Sequence, residues 1–238
     1  MHQPHRLAEN TSRCATIPTM NTLLDEPDTF TFVELQEQLG GVPARRILMR
    51  PPPGTATEAD VTRLLDKWNK RCELIDGTLV EKAMGMRESG IAMQIGHRIL
   101  TYLEGNDIGG VSGEQGTLKV RRGRVRIPDV AFFRYDSIPG GRIPNEKIPF
   151  VAPTLSVEVL SESNTLREME MKRHDLFDAG TRLIWEIDPE TRSAEVFTSA
   201  EESTHIGEDG TLDGGDVLPG FRLSLKELFA KVDRMFKT

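Results

Sequence analysis

Val125-Arg126-Ile127-Pro128-Asp129-Val130 and Leu155-Ser156-Val157-Glu158-Val159-Leu160 are strand-like apolar runs, each with one carboxylate set into it. An isolated ionised carboxylate in an apolar strand is costly, because desolvation disfavours its charge. Two such strands, the second followed by a helix that carries Lys172, imply an acidic pocket rather than two accidents.

Side chains alternate along a strand, so residues 124–133 can be sorted by face. Val125, Ile127, Asp129 and Ala131 share one face, and Arg124 and Arg126 share the other. In the second run Glu158 shares a face with Ser156 and Leu160. If the two strands lie side by side with their ends level, Asp129 and Glu158 converge. Hard oxygen ligands on a rigid sheet suit magnesium or manganese, which keep several waters. Lys172 follows Glu158 by 14 residues, about two turns into the next helix, on one stripe with Glu168 and Asp175. Two carboxylates, a hard metal and a lysine are the parts that metal-assisted phosphodiester hydrolysis needs. Each residue also has a plainer reading. Asp129 then caps a turn, Glu158 pairs with an arginine, Lys172 is a solvated helix residue and Glu73 is a surface acid at a strand end.

The bulk composition limits the class. A chain of 238 residues accommodates one domain with an extra arm, or two small domains. Apolar residues make up 37% and charged residues 28%, which fits a globular protein with a normal core. No run approaches the length of a membrane helix. The N-terminus lacks an apolar signal core, which predicts a cytoplasmic protein. The two cysteines, Cys14 and Cys72, make neither a disulfide framework nor a zinc site and read as unpaired thiols. A net charge of −7 argues against strong non-specific grip on duplex DNA, although a metal pocket itself contributes negative charge.

Working outward along the chain, residues 1–26 are polar without a period and read as an unstructured arm. A short helix is expected over Thr31–Gly40 and a short strand at Ile47–Met49. Pro51-Pro52-Pro53-Gly54 is a stiff break, which sets the expected division into an N-terminal arm with a short helix, 1–54, and a main domain, 55–238. Thr57-Glu58-Ala59-Asp60 opens the next helix as a capping signal. Asp76-Gly77 between alternating runs predicts a hairpin. A long amphipathic helix follows from Glu88 to about Glu104, with Ile91, Ile95 and Ile99 inward. Arg121-Arg122-Gly123 turns a second hairpin whose outgoing strand continues through Pro128 to Phe133, at an edge, with a bulge or ending at Pro128. Strand 155–160, a helix to Ala179, strands 182–188 and 194–198, acidic surface strands and turns over 199–216, and a terminal helix over Leu225–Phe236 complete the chain. That order gives the α/β class, a mixed sheet with flanking helices.

Pro128-Asp129, Val157-Glu158-Val159-Leu160-Ser161-Glu162-Ser163 and Lys172 together resemble the PD-(D/E)XK nuclease superfamily. More specifically the chain resembles the Uma-two family of restriction-endonuclease-like proteins. Cys72-Glu73-Leu74-Ile75-Asp76-Gly77, Leu183-Ile184-Trp185-Glu186-Ile187-Asp188-Pro189 and Leu218-Pro219-Gly220-Phe221 match it in the same order, over roughly 55–230. The resemblance implies a restriction-endonuclease-like core and a magnesium- or manganese-dependent endonuclease, a hydrolase with nucleic acid, DNA in the first place, as substrate. It implies Asp129 and Glu158 as metal-binding acids, with the Val159 carbonyl as an extra ligand. It implies Lys172 as the catalytic lysine and Glu73 as a further acid of the site. Two features depart from the pattern. Position 160 is Leu, so the lysine must come from the helix rather than from two residues after the glutamate. No histidine stands near Glu88-Ser89-Gly90, so none is assigned to the site.

Lys119, Arg121, Arg122, Arg124 and Arg126 form a basic hairpin that reads either as a phosphate contact or as a solvated face. Glu162, Glu168, Glu170 and Asp175 read as solvent-facing helix charges, and His174 points away from Lys172. The rival reading is a catalytically inactive nuclease-fold module for nucleic-acid or protein binding. A metal-dependent hydrolase of another phosphoester is a third. The oligomeric state stays open, a homodimer being one expectation because many nucleases that cut both strands are dimers. Target sequence and the choice between DNA and RNA are not legible.

Overall fold

The computed structural model describes residues 30–82 and 84–236. The expected arm over 1–26, including Cys14, lies outside them. Helix α1 (Phe32–Gln38) leads to β1 (Ile47–Leu48), α2 (Glu58–Trp68), β2 (Cys72–Ile75), β3 (Thr78–Glu81) and the long α3 (Met86–Glu104). Next come β4 (Gly109–Gly113), β5 (Leu118–Arg121), β6 (Arg124–Arg126), β7 (Val130–Arg134) and β8 (Leu155–Val159). Helix α4 (Leu166–Ala179) follows, then β9 (Leu183–Asp188), β10 (Ser193–Phe197), β11 (Ser203–Ile206), β12 (Thr211–Asp213), β13 (Arg222–Ser224) and α5 (Leu225–Asp233).

These strands build one antiparallel sheet of five in the order β1-β3-β2-β6-β5, one mixed sheet of six in the order β11-β10-β9-β8-β7-β4, and a β12-β13 pair. In the mixed sheet only β8 and β9 are parallel, and α4 is the crossover that parallel neighbours require. The fold is therefore mixed α/β, with flanking helices on a multi-stranded core.

Period-two alternation distributes the core. Val130 and Phe132 of β7 face Ile91, Ile95 and Ile99 of α3, with Leu228 and Phe229 of α5 in the same cluster. Ala131 and Phe133 turn to the opposite face, where they join Leu176 of α4 and Leu118 and Val120 of β5. Trp185 of β9 is fully buried and stacks on Phe221 at 6.0 Å. Leu218 and Phe221 of the stretch Leu218-Pro219-Gly220-Phe221 belong to the same core cluster as Trp185.

Local signals account for the element ends. Thr57 and Asp60 form a reciprocal capping box at the start of α2, as their spacing predicts. Thr165 caps α4 by accepting from the Glu168 N–H. Asp76 and Gly77 both take positive φ, 44° and 78°, the geometry of a two-residue hairpin turn. Glycine is needed at 77 for space as well, since a Cβ would lie 2.4 Å from the Gly54 carbonyl.

One expectation differs from the observed architecture. The strand read through 124–133 is two strands in different sheets: β6 ends at Arg126 and belongs to the five-stranded sheet, while β7 starts at Val130 in the six-stranded sheet. Pro128 has no N–H to give a ladder, and the chain changes sheet across Ile127–Asp129. The compact unit begins at Phe32. Leu35, Leu39, Val42 and Ile47 pack with Ile75 and Val80, and β1 pairs with β3. Arg46 is buried and clamps Glu168 of α4 with two bonds, 2.7 and 2.9 Å, while its remaining donors reach the carbonyls of Glu81 and Ser163. Among the described residues no helix is long and apolar enough to cross a membrane.

Candidate active site

The sheet change at Ile127–Asp129 brings Asp129 to the edge of β8. Val130 pairs with Val157, and the Asp129 N–H donates to the Val157 carbonyl at 3.1 Å. Asp129 Oδ2 accepts the Val159 N–H at 2.7 Å, which holds the carboxylate beside Glu158. Glu158 Oε2 receives Lys172 Nζ at 2.7 Å from α4 and lies 3.1 Å from Lys82 Nζ. Lys172 is held on two further sides, by the Ile127 carbonyl at 3.2 Å and Glu73 Oε1 at 3.0 Å. Glu73, on β2, also accepts the Ile127 N–H at 3.0 Å and an Arg126 N–H at 2.7 Å. Asp129, Glu158, Lys172 and Glu73 are each no more than 4% exposed. Four residues from separate segments thus meet in one buried cluster.

Burial and charge oppose each other here, and the outcome differs by residue. Burial works to raise the pKa of Glu73, but Lys172, Arg126 and Lys82 with the Ile127 N–H outweigh it and hold the group well below the usual carboxylate range. For Glu158 burial prevails over Lys172 and Lys82, helped by the negative charges of Asp129 and Glu73, and its pKa is raised. Burial alone would depress Lys82, but Asp129, Glu158 and Glu73 together raise its pKa well above the ordinary lysine value.

The donor set suits a hard divalent cation. Asp129 Oδ1 is buried and meets the Lys82 ammonium at 2.8 Å. That oxygen, Glu158 and the adjacent Val159 backbone are all hard oxygen sites. No group of three or more His, Cys, Asp or Glu side chains able to hold a metal occurs among the described residues. An ion resting on two carboxylates must therefore complete its shell with a carbonyl and water, which magnesium tolerates. A groove of about 600 Å³ between α3 and β4 leads to Asp129, bordered by Met93, Gly96, His97 and Ser112.

A family model described as "Putative restriction endonuclease" matches residues 47–226. The chain belongs to the Uma2 (Uma-two) family. Among solved structures, this Uma2 chain matches a protein from Anabaena variabilis described as a putative nuclease belonging to DUF820. The two share 22% identity with a TM-score of 0.62, covering 73% of this chain and 97% of that one. That likeness shows the restriction-endonuclease-like fold. No curated protein matches the chain.

Within this Uma2 chain the basic hairpin is divided: Arg124 and Arg126 turn inward, while Arg121 and Arg122 at its turn are exposed. Arg126 is fully buried between Glu73 and Asp175, and Arg124 is buried and paired with Asp76 and Asp175. Lys119 pairs with Glu58, and Arg121 reaches Asp175. The Asp175 and Glu168 carboxylates, read from sequence as solvated, are buried because arginines from distant segments neutralise them. His174 is half exposed and lies near Glu201, outside the cluster. Sequence reasoning missed Lys82. A signal existed: Val80 faces the core, and Lys82 lies two residues on, on the same side of the strand. It went unread because a lysine following Glu81 at a strand end looks like a surface charge.

Proposed function

We propose that the protein is a metal-dependent endonuclease that hydrolyses phosphodiester bonds of nucleic acid, DNA in the first place. One observation carries the reading: Asp129, Glu158 and Lys172, the three residues that match the nuclease pattern, meet within hydrogen-bonding reach of shared partners although they come from three separate segments. Family membership and the likeness to a protein described as a putative nuclease favour a nuclease-like role.

Asp129, Glu158 and the Val159 carbonyl would hold magnesium or manganese. When bound, the ion supplies charge neutralisation at the phosphate and a more acidic water. Asp129 is oriented by the Val159 N–H, so its other oxygen shares the Lys82 ammonium with Glu158. Lys172 keeps its ammonium fixed among Glu158, Glu73 and the Ile127 carbonyl, from where it stabilises negative charge developing on a phosphate. Glu73 acts through Lys172 and Arg126 as a positioning residue. The groove beside α3 gives a strand of nucleic acid a route to Asp129.

The rival, a nuclease-fold module without catalysis, is favoured by one observation. Lys82 already satisfies both acids, so the cluster is electrostatically complete without a metal. Incubating purified protein with supercoiled plasmid, single-stranded DNA and RNA, with magnesium or manganese, separates the two. Cleavage that Asp129→Asn and Glu158→Gln each abolish, with both variants folded, supports the nuclease. Cleavage undiminished in both folded variants refutes the assigned site, and no cleavage of any substrate favours the rival.

A further inference from the structure

Two lysines reach the acidic pair, and they are held differently. Lys172 is anchored by Glu158, Glu73 and the Ile127 carbonyl, and its side chain is 5% exposed. Lys82 is ion-paired with Asp129 and Glu158, at 2.8 and 3.1 Å, and its side chain is 12% exposed. Its backbone is fixed by an N–H bond to the Arg71 carbonyl, so the stem can swing without moving β3. The Lys82 ammonium meets Asp129 Oδ1, while Asp129 Oδ2 takes the Val159 N–H.

We propose that Lys82 is an exchangeable internal cation, seated between Asp129 and Glu158, and that a divalent ion enters by displacing its ammonium while Lys172 stays in place. This rests on the reading of Asp129 and Glu158 as metal ligands. The physical reason is direct. Two buried carboxylates without a cation would repel each other and carry a desolvation cost. Lys82, together with Lys172 on Glu158, offsets both penalties in the metal-free fold. A divalent ion held by Asp129 and Glu158 would take the place that the Lys82 ammonium fills between them, and the two cannot share it; Lys172 also meets Glu158 Oε2 but is held in addition by Glu73 and the Ile127 carbonyl. Lys82 has fewer anchors than Lys172 and a somewhat more exposed side chain, so it is the easier of the two to release. Metal affinity is therefore set by a competition built into the chain: the tighter the lysine sits, the higher the metal concentration needed to load the site.

The test is calorimetric titration of the full chain with manganese alone, near neutral pH, for wild type, Lys82→Met and Lys82→Arg. Lys82→Met is expected to bind manganese about tenfold tighter or more, since nothing has to leave. Lys82→Arg keeps the charge and is expected to bind no tighter than wild type. Equal or weaker binding by folded Lys82→Met overturns the displacement while leaving the metal reading intact. Absence of binding in all three proteins at millimolar manganese removes the metal reading and this inference with it. If Lys82→Met does not fold, a manganese-soaked crystal of the wild type decides. Anomalous density between the acids with Lys82 Nζ out of reach of both supports the proposal. Manganese bound with Nζ still on both acids overturns it.

Discussion

Arg126→Met tests whether this arginine is a structural counter-ion or a phosphate contact, as its place in a basic hairpin suggests. Arg126 is fully buried and spans Glu73 at 2.7 Å and Asp175 at 2.5 and 2.9 Å. Breaking a buried pair by removing one partner costs about 3–5 kcal/mol, because the remaining charge is left uncompensated. Here both acids keep other partners. Glu73 retains Lys172 at 3.0 Å and the Ile127 N–H, and Asp175 retains Arg121 at 3.2 Å. The loss therefore sits at the lower end, about 3 kcal/mol, which is a large part of a domain stability of about 5–15 kcal/mol. With a urea slope of about 2 kcal/mol per molar, the unfolding midpoint falls by about 1.5 M. The assay is urea denaturation followed by Trp185 fluorescence, with the slope checked for constancy. DNA affinity of the variant that is still folded, measured against salt, should keep the wild-type slope, because a buried group releases no counter-ions. A midpoint shift below about 0.5 M, together with a shallower salt dependence, would refute the reasoning and return Arg126 to the surface role.

Glu73→Gln should flatten the acid sensitivity of the fold. The folded pKa of Glu73 is depressed, so its stabilisation is present above the unfolded value of about 4.3 and is lost as pH falls towards the folded one. Urea midpoints at successive pH values below about 4.3 should drop less steeply in the variant; parallel curves would contradict the assignment. Gly40→Ala combines a φ of +79° with a Cβ 2.7 Å from the Glu168 backbone nitrogen, so a loss of about 2–3 kcal/mol is expected by calorimetry, and a wild-type melting point would be inconsistent with it. A chain begun at residue 55 loses Arg46 and β1 and leaves Glu168 buried without its two arginine bonds. It should melt well below the full chain, and equal melting would show that residues 32–48 are dispensable.

The site was partly legible from strand alternation and partly from resemblance. Asp129 and Glu158 stood out because a carboxylate in an apolar run needs a partner. Lys172 and Glu73 needed the family pattern, since a helix lysine and a strand-end acid carry no local oddity. What was illegible was long range. Arg126 reads as a surface arginine until Asp175, 49 residues on, and Glu73, 53 residues back, are brought against it. The sheet change was half visible: Pro128 announced a break in the ladder, but which sheet each half joins depends on pairings with β2 and β8. The hairpins and the capping box were read correctly because Asp76-Gly77 and Thr57–Asp60 act within four residues.

The passage of the chain from one sheet to the other across Ile127–Asp129 also has a consequence for how the protein comes into being. Lys82 and Glu158 are 76 residues apart, Glu73 and Ile127 are 54 apart, and Arg46 and Glu168 are 122 apart. Each closure costs chain entropy before any contact returns it. Domains dominated by such pairings fold slowly. A nascent chain that has released β2, β3 and β6 still lacks the strand and helix that carry Glu158 and Lys172. The acidic pair and its lysines can therefore be completed only after the chain has been synthesised through α4, so the cluster is assembled late and as a unit.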